Sequence, residues 1–243
     1  MLNFFRRIRI SLLESGKARI YLLYALGEIA LVVIGILIAL QVNNGNEARK
    51  DRILEKDYLQ RFLSDLRVDS VNYELIEEVL MRKMEGLRII TRLLKGEQCC
   101  ADSIRMSIRR SATLGWALID EGSDATFQEM ISSGDLRLLR NNKLRQGILK
   151  YYKVLNSTYH RTDKRRSGYP NLTYQIFDLE ETEDDAEWFW KTLKENNAET
   201  EFHRHFRHET RYAYFIEKTV MPLLTELHLN LKQLILIELE VTN

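Results

Sequence analysis

The chain has 243 residues, 45% of them hydrophobic and 29% charged, with a formal net charge of +1 at pH 7. That balance suits one globular domain, or a domain plus a membrane element, and excludes disorder as the main state. Two prolines and eleven glycines are too few turn-formers for an all-β sandwich, so the composition points to long helices.

The N-terminal stretch is basic. Leu2, Phe5, Ile8 and Leu12 recur at helical spacing among Arg6, Arg7 and Arg9. This pattern suits a short amphipathic helix on anionic lipid, and equally a basic tail that obeys the positive-inside rule.

The longest apolar run follows, from Ile20 to Val42. As a helix it extends about 34 Å, enough to cross a hydrocarbon core of about 30 Å. A cleaved signal peptide has a shorter apolar region ending in a small-x-small site, which Ala39-Leu40-Gln41-Val42 does not offer. The run therefore reads as an uncleaved transmembrane helix. Arg6, Arg7, Arg9, Lys17 and Arg19, opposed only by Glu14, precede it, while the mixed charges Glu47, Arg49, Lys50, Asp51 and Arg52 follow. The asymmetry predicts a cytoplasmic tail over 1–19, a span over 20–42 and an extracytoplasmic domain over 43–243, periplasmic if the cell is Gram-negative. The expected location is the inner (cytoplasmic) membrane, crossed once. Beyond the span 33 acidic residues face 31 basic ones, a balance without a nucleic-acid footprint.

Glu28 is the informative residue of the span. At the cytoplasmic surface it would leave only Ile29 to Val42, about 21 Å, to cross the core, so it is immersed or snorkels. A carboxylate there costs about 2.5–3.5 kcal/mol on insertion scales, which the span's aliphatic residues at about −0.3 to −0.6 kcal/mol each offset. At about 100° per residue, Gly35 and Ala39 lie about 20° to either side of Glu28, so the three share one narrow stripe. Small residues beside a carboxyl form a helix-packing face, on which a neighbouring helix could hydrogen-bond Glu28. The alternative is a Glu28 that is protonated or reaches the headgroups beside Tyr24.

Tyr21 to Asn44, YLLYALGEIALVVIGILIALQVNN, followed by Glu47 and Arg49, resembles the N-terminal signature of a bacterial family. That family, a domain of unknown function of type 6090, comprises single-pass membrane proteins found chiefly in Bacteroidota. Ser123 to Tyr152, SDATFQEMISSGDLRLLRNNKLRQGILKYY, resembles the middle of the same family. Gly27-Glu28 together with Gly35 and the Gln41 to Asn44 exit carries the likeness, whereas Gly45 stands where the family pattern usually has a tryptophan. The resemblance implies an anchored helical architecture and brings no activity, substrate or catalytic residue with it.

From Asn46 to about Lys95 there is no proline, and Leu59, Phe62, Leu63, Leu66, Tyr73, Ile76, Leu80, Leu87, Ile90 and Leu94 recur near helical spacing. A long helix of about 75 Å is expected, weakened at Gly86 and open to a bend at Val68-Asp69-Ser70. Its apolar stripe reads as a bundle face rather than a coiled-coil seam. Gly96 to Gly122 reads as a short helix and a loop carrying the vicinal Cys99-Cys100 and Gly115-Trp116. Two adjacent cysteines neither frame a disulfide scaffold nor complete a zinc site.

Thr126-x-x-Glu129 reads as a capping box, closed by Ser132-Ser133-Gly134. Asn141 caps the next helix, whose face is Leu144, Ile148, Tyr151, Tyr152 and Leu155; Arg161, Lys164, Arg165 and Arg166 then form a solvated side. The acidic block Glu180, Glu181, Glu183, Asp184, Asp185 and Glu187 precedes Trp188, with Thr182-x-x-Asp185 as the expected helix start rather than a calcium loop. His205, His208 and Glu209 are spaced to converge on a helix as a weak metal site, but Arg204, Arg207 and Arg211 crowd it with positive charge. Polar histidines on an amphipathic helix are the preferred reading, and no metal or cofactor is expected. Phe215, Ile216, Val220, Leu223, Leu224, Leu227, Leu231, Leu234, Ile235 and Ile237 predict a closing helix packed on the long first one, with Pro222 at a start, kink or break.

The fold expected is therefore all-α: one N-terminal transmembrane helix, a long helix and an extramembrane helical bundle. No P-loop, dinucleotide fingerprint, hydrolase elbow or zincin motif occurs, so the chain does not read as an enzyme. The leading expectation is an interaction or scaffold protein that meets the lipid bilayer and, through Glu28, Gly35 and Ala39, a second copy or another membrane protein. The alternatives are an accessory subunit of an ion-driven complex using Glu28, and an envelope sensor acting through a partner.

Overall fold

The first helix, α1, runs from Ala18 to Leu94, 77 residues without a proline. The computed structural model describes residues 18–97, 104–113, 123–163, 167–180 and 185–241. The basic tail up to Lys17, Cys99-Cys100, Gly115-Trp116, Lys164 to Arg166 and Glu181 to Asp184 lie outside the described residues. Among the described residues every element is helical. The chain divides into two compact units, Met1–Leu54 and Glu55–Asn243. The apolar run and the long helix expected after it belong to one element, and the helix runs without a break through Val68-Asp69-Ser70, where the sequence left room for a bend. Asp69 instead points into the core of the second unit, 1% exposed.

In that unit α1 presents Leu59, Phe62, Leu66, Tyr73, Ile76, Leu80, Leu87 and Ile90 to the interior, at the helical spacing legible in the sequence. Burying each such side chain contributes about 1.5–3 kcal/mol. The next helix, α2 (Ile104–Ala112), crosses α1 at Gly86. A Cβ at Gly86 would stand 2.5 Å from the Ser107 carbonyl oxygen and 2.8 Å from the Ser111 nitrogen. The glycine read from sequence as a weak point is thus the place where two backbones approach.

Helix α3 (Ala125–Ser133) starts after Asp124 and ends at Gly134, whose φ of 76° is the left-handed C-terminal stop. The capping box is not formed: Thr126 is already inside the helix and buried, and Glu129 turns outward to Arg61 and Tyr58. A 3-10 turn over Asp135–Leu138 leads to α4 (Asn142–Asp163). There Asn141 Oδ1 accepts from the backbone nitrogens of Lys143 (3.0 Å) and Leu144 (3.3 Å), the cap expected.

Helix α5 (Tyr169–Ile176) carries Pro170 in its first turn, where a missing N–H leaves no bond unmade. Helix α6 (Ala186–Glu195) begins later than Thr182-x-x-Asp185 suggested, because Asp185 is itself the cap and accepts from Trp188 N at 2.8 Å. Phe177 stacks on Phe189 at 5.3 Å and Phe202 meets both edge-on, joining α5 and α6 to α7 (Glu199–Phe215). A π turn over Ile216–Val220 then passes into α8 (Met221–Val241). Pro222 in the first turn of α8 sits beside this change of winding, since it cannot supply a backbone N–H. Helix α8 packs along α4 and meets α1 through His228, which faces Ser70 and Tyr73.

Candidate functional site

Two kinds of surface and interior stand out, one in each unit. From Leu22 to Val42 every leucine, isoleucine and valine is exposed, Leu31 to 73%. Glu28, Gly35 and Ala39 are exposed on the same stretch, and a Cβ added at Gly35 would meet nothing within 4 Å. A contiguous apolar surface of this size marks a membrane or protein contact. Two helical stretches, Leu22–Leu94 and Glu199–Val241, are long and apolar enough to cross a membrane by length and composition. None of the apolar window of the first is buried, while 39% of that of the second is. The second is accounted for by core residues such as Leu224, Leu231 and Ile235.

In the second unit α1 carries three buried acidic or basic residues at fourteen-residue intervals, Glu55, Asp69 and Lys83. Fourteen residues are close to four helical turns, so all three stay near the core stripe. Each grips a different element. Glu55 accepts from the Arg140 backbone nitrogen at 3.2 Å, just before α4.

Asp69 accepts from Tyr151 Oη at 2.6 Å and from the Ser123 backbone nitrogen at 3.0 Å, and Tyr151 shares a 3.0 Å hydrogen bond with Tyr73. Burial pushes the Asp69 carboxyl above the usual carboxylate range, against the pull of these donors. The Tyr151 hydroxyl is driven far up, by burial first and by the neighbouring Tyr73 and Asp69 next. His228 closes this cluster, with Nε2 3.3 Å from Ser70 Oγ and its ring edge-on to Tyr73.

Lys83 and Glu209 form an ion pair with both side chains at 0% exposure. The ammonium also donates to the carbonyls of Ser111 (2.8 Å) and Thr113 (2.6 Å), at the C-terminus of α2 where the helix dipole favours a cation. Burial lowers the lysine from its ordinary range, while Glu209 pulls it back up. Glu209 accepts from Ser167 Oγ, which in turn accepts from Tyr169 N at 3.1 Å. Tyr169 Oη and Ser111 Oγ are 2.7 Å apart, so one polar cluster ties α1, α2, α5 and α7 together. Lys83, Glu209, Ser111 and Tyr169 are closed off from solvent, with Ser167 half-buried at the edge, and the hydrogen bonds among them tie the four helices together.

Sequence reasoning missed this pair, although the signal was present. Lys83 occupies a core position in the series Ile76, Leu80, Lys83, Leu87, and Glu209 does so in Phe202, Phe206, Glu209, Ala213. The metal candidates are not brought together. Glu209 turns inward to Lys83, His205 lies half-buried 3.4 Å from Glu201, and His208 is exposed beside Tyr212. Among the described residues no group of three or more histidine, cysteine or acidic side chains is placed to hold a metal ion.

No curated protein and no solved structure matches the chain. A family model, described as a family of unknown function (DUF6090), matches residues 28–164, more than half of the chain. The match begins at Glu28 and takes in Glu55, Asp69, Lys83 and Tyr151, while Glu209 and His228 lie beyond it. The chain, carrying its exposed apolar segment and three buried charges on one helix, belongs to this DUF6090 family.

Proposed function

We propose that the chain is a single-pass inner-membrane interaction protein, with Ile20 to Val42 crossing the bilayer, the N-terminus in the cytoplasm and a periplasmic helical domain over 43–243. The observation that carries this reading is the run of exposed leucine, isoleucine and valine side chains from Leu22 to Val42, which lipid would cover. The face bearing Glu28, Gly35 and Ala39 then receives another helix, from a second copy or another membrane protein. Small residues allow close backbone approach, and the partner supplies a hydrogen bond to the Glu28 carboxyl. The role is binding rather than catalysis, in keeping with buried charges that are engaged in holding helices together.

The test is gentle extraction of the native protein, with the mass of its complex measured and the co-purifying chains identified. The expected result is a defined complex that Gly35→Leu disrupts. A monomer, or a complex indifferent to that substitution, would overturn the reading. A second reading rests on Glu28, which has no hydrogen bond or ion pair among the described residues: an accessory subunit of an ion-driven complex, in which Glu28 carries protons. A Glu28→Gln protein that keeps both assembly and activity would remove it.

A further inference from the structure

A groove of about 620 Å³ runs between α1 and the start of α8, wholly within the second unit. Three of the chain's six methionines, Met81, Met84 and Met221, line it. Unbranched thioether side chains adapt to apolar surfaces of many shapes and are favoured where a surface must accept a helix. Leu229 extends the apolar wall and is 57% exposed.

The rim has one sign of charge. Glu77, Glu217 and Glu226 border the groove, and only Glu217 has a described cation beside it, Lys218 at 3.3 Å. A ring of carboxylates around an apolar floor steers and orients a cationic partner.

Thr225 on the groove wall departs from other threonines of these helices. Its hydroxyl is buried in the groove with no hydrogen-bond partner among the described residues. In contrast, Thr91, Thr173 and Thr210 each donate to the carbonyl four residues back, at 2.7, 2.7 and 2.9 Å. The π turn Ile216–Val220, a widened winding of the kind often found at functional sites, contributes Glu217 to one end of the groove.

We infer that this groove seats a cationic amphipathic helix of a partner protein, its apolar face on Met81, Met84 and Leu229 and its Lys or Arg side chains on Glu77 and Glu226. The inference rests on the interaction role proposed above and names the partner's chemistry. Anionic lipid and fatty acids are repelled by the rim, and a second copy docked groove to groove would set Glu77 and Glu226 against like charges.

The test uses the full chain in zwitterionic-lipid nanodiscs, with empty nanodiscs as background, and a fluorescein-labelled Leu/Lys amphipathic peptide of about 18 residues. A peptide of the same composition with scrambled spacing is the comparison. The amphipathic peptide is expected to bind at least about tenfold more tightly than the scrambled one, and Glu77→Lys with Glu226→Lys to remove most of that difference. The milder Glu77→Gln with Glu226→Gln should weaken binding less, and both variants should keep the parent's helical signal and thermal midpoint. Equal binding of the two peptides, binding indifferent to both pairs of substitutions, or a Met81→Cys chain that forms a dimer cross-linked across the groove would overturn the inference. A native complex that survives Glu77→Lys with Glu226→Lys would overturn the groove and leave the interaction role standing. Failure of the parent chain to retain any partner on extraction would overturn the role itself.

Discussion

Glu28 and Glu209 are both glutamates on long helices with apolar neighbours, and the molecule treats them in opposite ways. Glu28 stands on an outward surface of exposed aliphatic side chains, with no described partner. Glu209 is sealed in the second unit and held by Lys83 and Ser167. The first unit presents apolar surface outward with Glu28 standing on it, whereas the second turns apolar surface inward and pairs Lys83, Glu209 and Asp69 within its own chain. The contrast teaches that a charge in an apolar helix face is informative only with its surroundings: in one unit it stands exposed, in the other it is a clamp between helices.

The sharpest way to break this contrast is Lys83→Met, which leaves Glu209 buried without its cation. The expected loss is about 3–5 kcal/mol, or a fall of roughly 10 °C in the thermal midpoint followed by circular dichroism. Adding Glu209→Leu to the same chain should recover much of the loss, since the uncompensated charge is gone, while the carbonyls of Ser111 and Thr113 still lack their donor. Recovery to nothing would mean that the pair's value lies in those carbonyls rather than in the ion pair.

Glycines sharpen the comparison next. Alanine usually improves a helix interior, but Gly86→Ala drives a Cβ into the backbone of α2 and should destabilise the second unit by about 1–3 kcal/mol. Gly35→Ala, with open space around it, should leave that unit's denaturation curve where it was. Asn141→Ala removes the cap of α4 and also the 2.7 Å hydrogen bond to the buried Glu238, so about 1 kcal/mol is expected to be lost in chemical denaturation.

The smallest effect concerns pH. Burial lowers the His228 imidazole below its ordinary 6.5, so in the window beneath 6.5 the unfolded chain binds a proton that the folded chain refuses. Stability is therefore full above that window and declines as the pH falls through it. His228→Gln should flatten this part of the stability curve measured by thermal unfolding, and an unchanged slope would assign the acid sensitivity elsewhere.

Much of the architecture was legible because it follows from local chemistry. The absence of proline before Pro170 permits α1, the period of Leu59 to Ile90 sets its buried face, and Asn141 and Gly134 mark helix ends by hydrogen bonding or by φ. The capping box at Thr126 failed because Glu129 found a better partner in Arg61, a residue 68 positions away. Low helix propensity at Gly86 was legible, but the reason for a glycine there was not, because it lies in the backbone of α2 packed against it.

What the sequence determined by itself is the helical character, the apolar run from Ile20 to Val42 and the stripe on which Glu28, Gly35 and Ala39 stand, since periodicity and length act within a few turns. Only the tertiary structure decided which charges are clamps. Lys83 and Glu209 are separated by 126 residues, and Asp69 and Tyr151 by 82, and their meeting depends on how distant helices cross. A core position tells that a charged residue must find a partner, because an unpaired buried charge is too costly to keep; which partner it finds is set by packing alone.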